Sequence, residues 1–114
     1  CDGRVPEADA VVVNRFAARL GGWSGAPAEL VSLHPSGMAA IFTAFQAVTG
    51  RRPGCRTVMF GFPYTDTLKI LEKFGAGAEF FPRGDEEDLQ RLANLLRSEP
   101  IAAVFCEFPS NPLL

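Results

Sequence analysis

The stretch IAAVFCEF, residues 101–108, decides the fold. It is apolar from Ile101 to Cys106, with no polar alternation before Glu107. A short run of strand formers with this pattern reads as a strand buried on both faces, the situation of strands in a parallel sheet. Working outward, RTVMFGF (56–62) and AEFFP (78–82) have the same character, and ELVSL (29–33) reads as a shorter strand. Each of these three is followed by apolar residues at helical spacing. Met38, Ile41, Phe42, Phe45 and Val48 come after ELVSL, and Leu68, Leu71 and Phe74 after RTVMFGF, with a stop at Gly75. Leu89, Leu92, Leu95 and Leu96 follow AEFFP, on a helix opened by Asp85 with Glu86, Glu87 and Asp88 in its first turn, where the helix dipole favours negative charge. Nearer the N-terminus, Val12, Val13, Phe16 and Leu20 mark one face of a helix over residues 7–20 that Gly21-Gly22 would stop. Strands alternating with helices predict an α/β fold: four parallel strands, right-handed crossovers, and helices on both faces in three layers.

Composition narrows the classes of function. The 114 residues fit one domain or a large piece of one. A net charge of -2 gives no basis for a polyanionic partner, and the strongest basic grouping is Arg51-Arg52 with nearby Arg56, so nucleic acid is not expected. No apolar run approaches the ~20 residues of a membrane-spanning helix. The opening CDGRVPEADA is too polar for a signal peptide, and the expectation is a soluble, cytoplasmic chain. Cys1, Cys55 and Cys106 make an odd count without CxxC spacing, which predicts neither a disulfide framework nor a structural metal. Cys106 reads as a small buried hydrophobe.

Ligands of open parallel sheets bind at the carboxyl ends of strands. Four such ends are HPSGM, FGFPYTDT, PRGDEED and CEFPSNP. In the first, Ser36-Gly37-Met38 opens a helix, and its backbone N–H groups suit a phosphate; an ordinary serine cap accounts for the same residues. Tyr64, the single tyrosine, can lie flat on a planar ring or pack on the following helix, which Thr65 or Asp66 would cap. Asp66 is a candidate partner for a cationic substrate group. Glu107, directly after an apolar strand, must leave the core or find a partner. Asn111 before Pro112 is biased to extended geometry, which can aim its amide at a cleft; an Asx turn is the alternative. His34, a lone histidine before a proline, reads as structural rather than as a general base. The GxGxxG and GxxxxGK[ST] fingerprints are absent.

Together these strand ends resemble one family, the pyridoxal-phosphate-dependent Cys/Met metabolism (trans-sulfuration) enzymes. PSGMAAI looks like the family's phosphate-binding turn, and CEFPSNPLL like its ETPSNPL stretch. VMFGFPYTDTLKILEKFGAG with FCEFPSNPLL looks most like the fungal-type cystathionine gamma-synthases. The resemblance implies the aspartate-aminotransferase-like (fold type I) large domain, pyridoxal 5'-phosphate as cofactor, small amino-acid substrates and a homo-oligomeric enzyme. It implies that Ser36, Gly37 and Met38 hold the cofactor phosphate and that Tyr64 stacks on the pyridine ring and assists proton transfer. Asn111 would lie near the phenolic oxygen, and Glu107 at an acidic active-site position. One departure is Thr65-Asp66, where most members have two glycines; the fungal type shares it.

The family also needs an anchoring lysine, an aspartate on the pyridine nitrogen and an arginine for the substrate carboxylate, all downstream of the asparagine turn. Lys69 and Lys73, the lysines present, sit on the helix after Tyr64 and match no anchoring motif. The expectation is that residues 1–114 form a single partial domain, the N-terminal portion of the cofactor-binding domain of a cystathionine gamma-synthase, inactive alone. The alternatives are a sibling gamma-lyase or sulfhydrylase, or a non-catalytic binding module of the same fold; a flavodoxin-like domain is disfavoured by the missing fingerprints.

Overall fold

The computed structural model describes residues 7–110. The chain divides into two compact units, Cys1–Ala40 and Ile41–Leu114.

The first unit is built on α1 (Glu7–Ser24), which runs past the stop expected at Gly21-Gly22. Gly25, with φ of 73°, is the residue that ends it, since only glycine takes the left-handed conformation at a helix C-terminus without strain. Gly21 has a different task. Its carbonyl accepts the Ala26 N–H at 2.9 Å, and a Cβ there would lie 2.4 Å from the Ala26 oxygen, so its lack of a side chain lets the chain fold back on the helix. The buried side of α1 is therefore Ala17 and Gly21, while Val12, Val13, Phe16 and Leu20 are exposed. The residues expected to mark the apolar face of this helix are thus on its exposed side, and nothing among the described residues of this unit buries them.

The strand expected at ELVSL is not formed. Ala28–Leu30 is a single 3-10 turn, after which Val31 is extended (φ -98°, ψ 120°). A strand exists through its ladder, and residues 29–33 have no ladder partner among the described residues. The helix α2 (Gly37–Arg51) then begins in the first unit and continues into the second.

The second unit is a three-layer α/β arrangement around a parallel sheet of β1 (Arg56–Phe60), β2 (Ala78–Phe81) and β3 (Ile101–Cys106), in the order β2-β1-β3. Between the strands run α3 (Thr65–Lys73) and α4 (Glu86–Ser98). The central strand is the most buried, as its continuous TVM run requires. Its residues split by parity: Val58 packs with Phe81, Leu92 and Ile101 under α4, and Met59 with Phe45 and Leu71 under α2 and α3. Each such side chain, fully buried, contributes ~1.5–3 kcal/mol.

β3 departs from the expectation of burial on both faces. It is an edge strand among the described residues, and of its six residues only Ile101, packed with Leu92 of α4, is buried, while Val104 is 43% exposed and Cys106 exposed. Cys106 is thus not a buried hydrophobe. The ladder also carries an irregularity: Arg56 pairs with Ile101 but Thr57 with Ala103, so Ala102 is an extra residue in β3. At the amino ends of the strands, Arg56 bonds Glu79 at 3.0 Å and Glu99 through two nitrogens, and Arg52 donates to the Ile101 carbonyl at 3.0 Å. Two of the three arginines of the basic grouping seen in the sequence, Arg52 and Arg56, thus tie the sheet together. Bonding to Glu99 first, and then to Glu79, raises the Arg56 pKa above its ordinary value, and the same contact lowers that of Glu99.

Candidate active site

The candidate residues fall in both units. In the first, Ser36 caps α2: its hydroxyl accepts the Ala39 N–H at 3.1 Å and its carbonyl the Ala40 N–H at 3.1 Å. That leaves the N–H groups of Gly37 and Met38 without an acceptor among the described residues. Ser36 and Gly37 are exposed, and a Cβ at Gly37 would meet nothing within 4 Å. Two open donors at the positive end of a 15-residue helix, with no side chain in the way, fit a phosphate group. The serine-cap reading is correct too, and the two are compatible, because the cap uses Ala39 and a ligand would use the two residues before it. His34 is engaged with Ser32, Nε2 to Oγ at 2.9 Å.

In the second unit, the carboxyl ends of β1 and β3 bring Tyr64 and Glu107 together. Pro63 is buried and precedes Tyr64, the residue that opens α3 with an exposed ring. Glu107 Oε2 accepts the Tyr64 backbone N–H at 2.8 Å, and Oε1 accepts the Thr67 hydroxyl at 2.7 Å. Neither Thr65 nor Asp66 caps α3 by a side-chain bond to the Tyr64 position; Asp66 instead lies 3.7 Å from Lys69. Asn111 lies outside the described residues.

The end of β2 closes this side of a cleft of about 360 Å³, lined by Phe60, Phe62, Arg83, Cys106, Glu107 and Phe108 among others. Here the turn before α4 folds tightly. Asp85 caps the helix, accepting the Asp88 N–H at 3.0 Å, and Asp88, 2% exposed, accepts the N–H groups of Arg83 (2.9 Å) and Gly84 (3.0 Å). Gly84 has φ of 63°, and a Cβ there would stand 3.2 Å from the Gly61 Cα, so both conformation and space call for glycine. The Asp88 N–H, and after it the Arg83 guanidinium, hold the Asp85 pKa below the usual carboxylate range; Asp85 and then Glu87 raise that of Arg83.

Sequence reasoning missed two residues that shape this region. Thr67, three positions after Tyr64, is buried, and its role depends on a strand end 40 residues away. Asp88, in the sequence one of three acids suited to the helix dipole, is in the structure the buried acceptor that shapes the turn. Among the described residues there is no grouping of His, Cys, Asp or Glu that could hold a metal, and no helix long and apolar enough to cross a membrane.

Comparison with known proteins agrees with these motifs. No family model matches the chain, and no solved structure matches it. Among curated proteins, the chain is 52% identical over 93 residues to a cystathionine gamma-synthase of Neurospora crassa, covering 75% of this chain and 15% of that protein. It is 46% identical over 92 residues to a cystathionine gamma-synthase-like enzyme of Amanita muscaria, covering 74% and 15%. An O-succinylhomoserine sulfhydrylase of Mycobacterium tuberculosis is 38% identical over 105 residues, covering 89% of this chain and 24% of that protein. The chain belongs to the trans-sulfuration family of pyridoxal-phosphate-dependent enzymes. It spans about 15% of the length of the fungal relatives it matches.

Proposed function

We propose that the enzyme carrying this sequence is a cystathionine gamma-synthase. It replaces the acyloxy group of an O-acylhomoserine with the thiol of cysteine, giving cystathionine and the free carboxylic acid. The observation that carries the cofactor reading is the pair of open amides at Gly37 and Met38, directly after the Ser36 cap. They would hold the phosphate of pyridoxal 5'-phosphate, with Ser36 keeping the turn in shape. When bound, that cofactor supplies the electron sink for carbanion chemistry at the substrate.

The chain's own residues supply binding and orientation. The Tyr64 ring, 49% exposed at a strand's carboxyl end, would stack on the pyridine face, with its hydroxyl available to move a proton at the substrate. Asn111 is proposed to approach the phenolic oxygen of the cofactor. Lys69 and Lys73 stand on α3, Lys69 beside Asp66, and are not proposed as the anchoring lysine. On this reading the three-stranded sheet is part of a larger fold type I sheet, and residues 1–114 are part of a cofactor domain without trans-sulfuration activity alone. The enzyme is proposed to be cytoplasmic and homo-oligomeric.

The test supplies the enzyme carrying this sequence with O-acylhomoserine and either cysteine or sulfide. Cystathionine as the dominant product supports the reading. Homocysteine formed from sulfide in preference, the outcome to which the similarity to the sulfhydrylase points, would replace it.

A further inference from the structure

We infer that Glu107 and Thr67 form a brace that positions Tyr64, and that Glu107 acts through Tyr64 rather than on the substrate. The inference rests on the proposed stacking role of Tyr64. Both carboxylate oxygens are engaged, Oε2 by the Tyr64 N–H at 2.8 Å and Oε1 by the Thr67 hydroxyl at 2.7 Å. Bonds to an ionised acceptor at these distances are roughly twice as strong as neutral ones. Each oxygen is engaged by a group at the start of α3, so both are turned to holding that end of the helix.

Location supports the same role. α3 has nine residues and no side-chain cap at Tyr64. A short helix frays first at such an end, and a remote carboxylate at its positive pole is a substitute cap. Thr67 is 2% exposed and Tyr64 is 49% exposed. The brace therefore fixes the backbone under Tyr64 from the buried side while leaving its ring open. Because Glu107 follows β3, the brace also fixes the helix start to a strand 43 residues away in sequence.

The test uses the whole enzyme with E107Q, E107A and T67V, read in two ways. Glutamine can offer its oxygen to the Tyr64 N–H and its NH2 to the Thr67 oxygen, whose hydroxyl then reverses. E107Q is expected to keep kcat/KM within about 3-fold, E107A to lose roughly 10–100-fold, and T67V roughly 5–10-fold. The second readout is amide hydrogen exchange over residues 62–68 in the cofactor-free protein. Protection there should fall in E107A and T67V and survive in E107Q. If E107Q loses as much activity as E107A while exchange is unchanged, Glu107 is a proton carrier and the inference is wrong. A T67V enzyme normal in both readouts also overturns it. The exchange result needs no substrate, so it stands whether or not the enzyme proves to be a cystathionine gamma-synthase. Should E107A fail to fold, E107Q and T67V still decide the matter.

Discussion

Replacing Asp88 should unfasten the turn between β2 and α4 and cost more stability than any other carboxylate on that helix. Its Oδ2 accepts two backbone N–H groups, at 2.9 and 3.0 Å, from a position 2% exposed. Its Oδ1 lies 3.3 Å from an Arg91 nitrogen on a side chain 57% exposed. A hydrogen bond to a charged group contributes ~1.5–3 kcal/mol, so the two amides bound the loss at ~3–6 kcal/mol. An exposed ion pair such as that with Arg91 adds ~0–1 kcal/mol. Residues 82–84 are exposed, so water reaches the freed amides if the turn opens, which favours the lower figure. We expect Asp88→Ala to cost ~3 kcal/mol and Asp88→Asn, which keeps an oxygen for both amides, ~1 kcal/mol. Urea unfolding followed by far-UV circular dichroism measures both; with a slope of ~1–3 kcal/mol per molar, the alanine variant should unfold ~1–3 M earlier. Two variants equal to each other and within ~0.5 kcal/mol of the parent, the range of ordinary surface changes, would refute the claim that this carboxylate holds the turn.

Gly37→Asp should leave folding intact, because a Cβ there meets nothing and an acid in the first helical turn is favourable. It should weaken cofactor binding in equilibrium dialysis: one charge against a phosphate dianion ~5 Å away in water is ~1.7 kcal/mol of repulsion, or roughly 15-fold. Tyr64→Ala should lower pyridoxal phosphate affinity while leaving stability nearly unchanged, as expected of an exposed ring; unchanged affinity would remove Tyr64 from the site. The lowered pKa values of Asp85 and Glu99 set the sign of the acid response. Their stabilisation is complete above the ordinary carboxylate range and is lost as pH falls through the depressed folded values. The raised values of Arg56 and Arg83 matter only in strong alkali. The thermal midpoint should therefore be level near neutrality and fall below about pH 4, with a smaller fall in Glu99→Gln.

The elements with a strong local signal were legible in the sequence. The run at 56–62, the Asp85 cap and the Leu68 and Leu71 side of the helix after Tyr64 appear where the pattern put them, with ends shifted by a few residues, whereas Phe74 lies just past the helix and is exposed. The failures come from terms that sequence periodicity does not contain. ELVSL has strand composition, but strand formation depends on a partner, and none is present among the described residues. Gly21-Gly22 has the look of a helix stop, yet close packing of Ala26 on Gly21 carries the helix through, and Gly25 ends it. Cys106 follows an apolar run, but edge position and the placement of α4 leave it uncovered. At the site, the Ser36 cap was readable from local spacing. For Glu107 the cost of burying a charge left two outcomes, leaving the core or finding a partner, and only the fold shows the partners, Thr67 and the Tyr64 N–H.

The extra residue in β3 has a consequence at the opposite end of the strand. Side chains alternate between faces, and because Ala102 stands outside the ladder, the residues after it stay in step with β1 although their numbering has shifted by one. Ile101 and Val104, rather than Ile101 and Ala103, share the face of Val58 beneath α4. Glu107, three positions beyond Val104, then falls on the other face, the one toward α3, where Thr67 and Tyr64 receive it. Were Ala102 instead to pair with Thr57, every later residue would slip by one and Glu107 would turn away from α3; deleting Ala102 would leave the pairing regular and Glu107 where it is. The irregularity near the far rim thus absorbs one residue of chain, and the carboxylate keeps its orientation because of it.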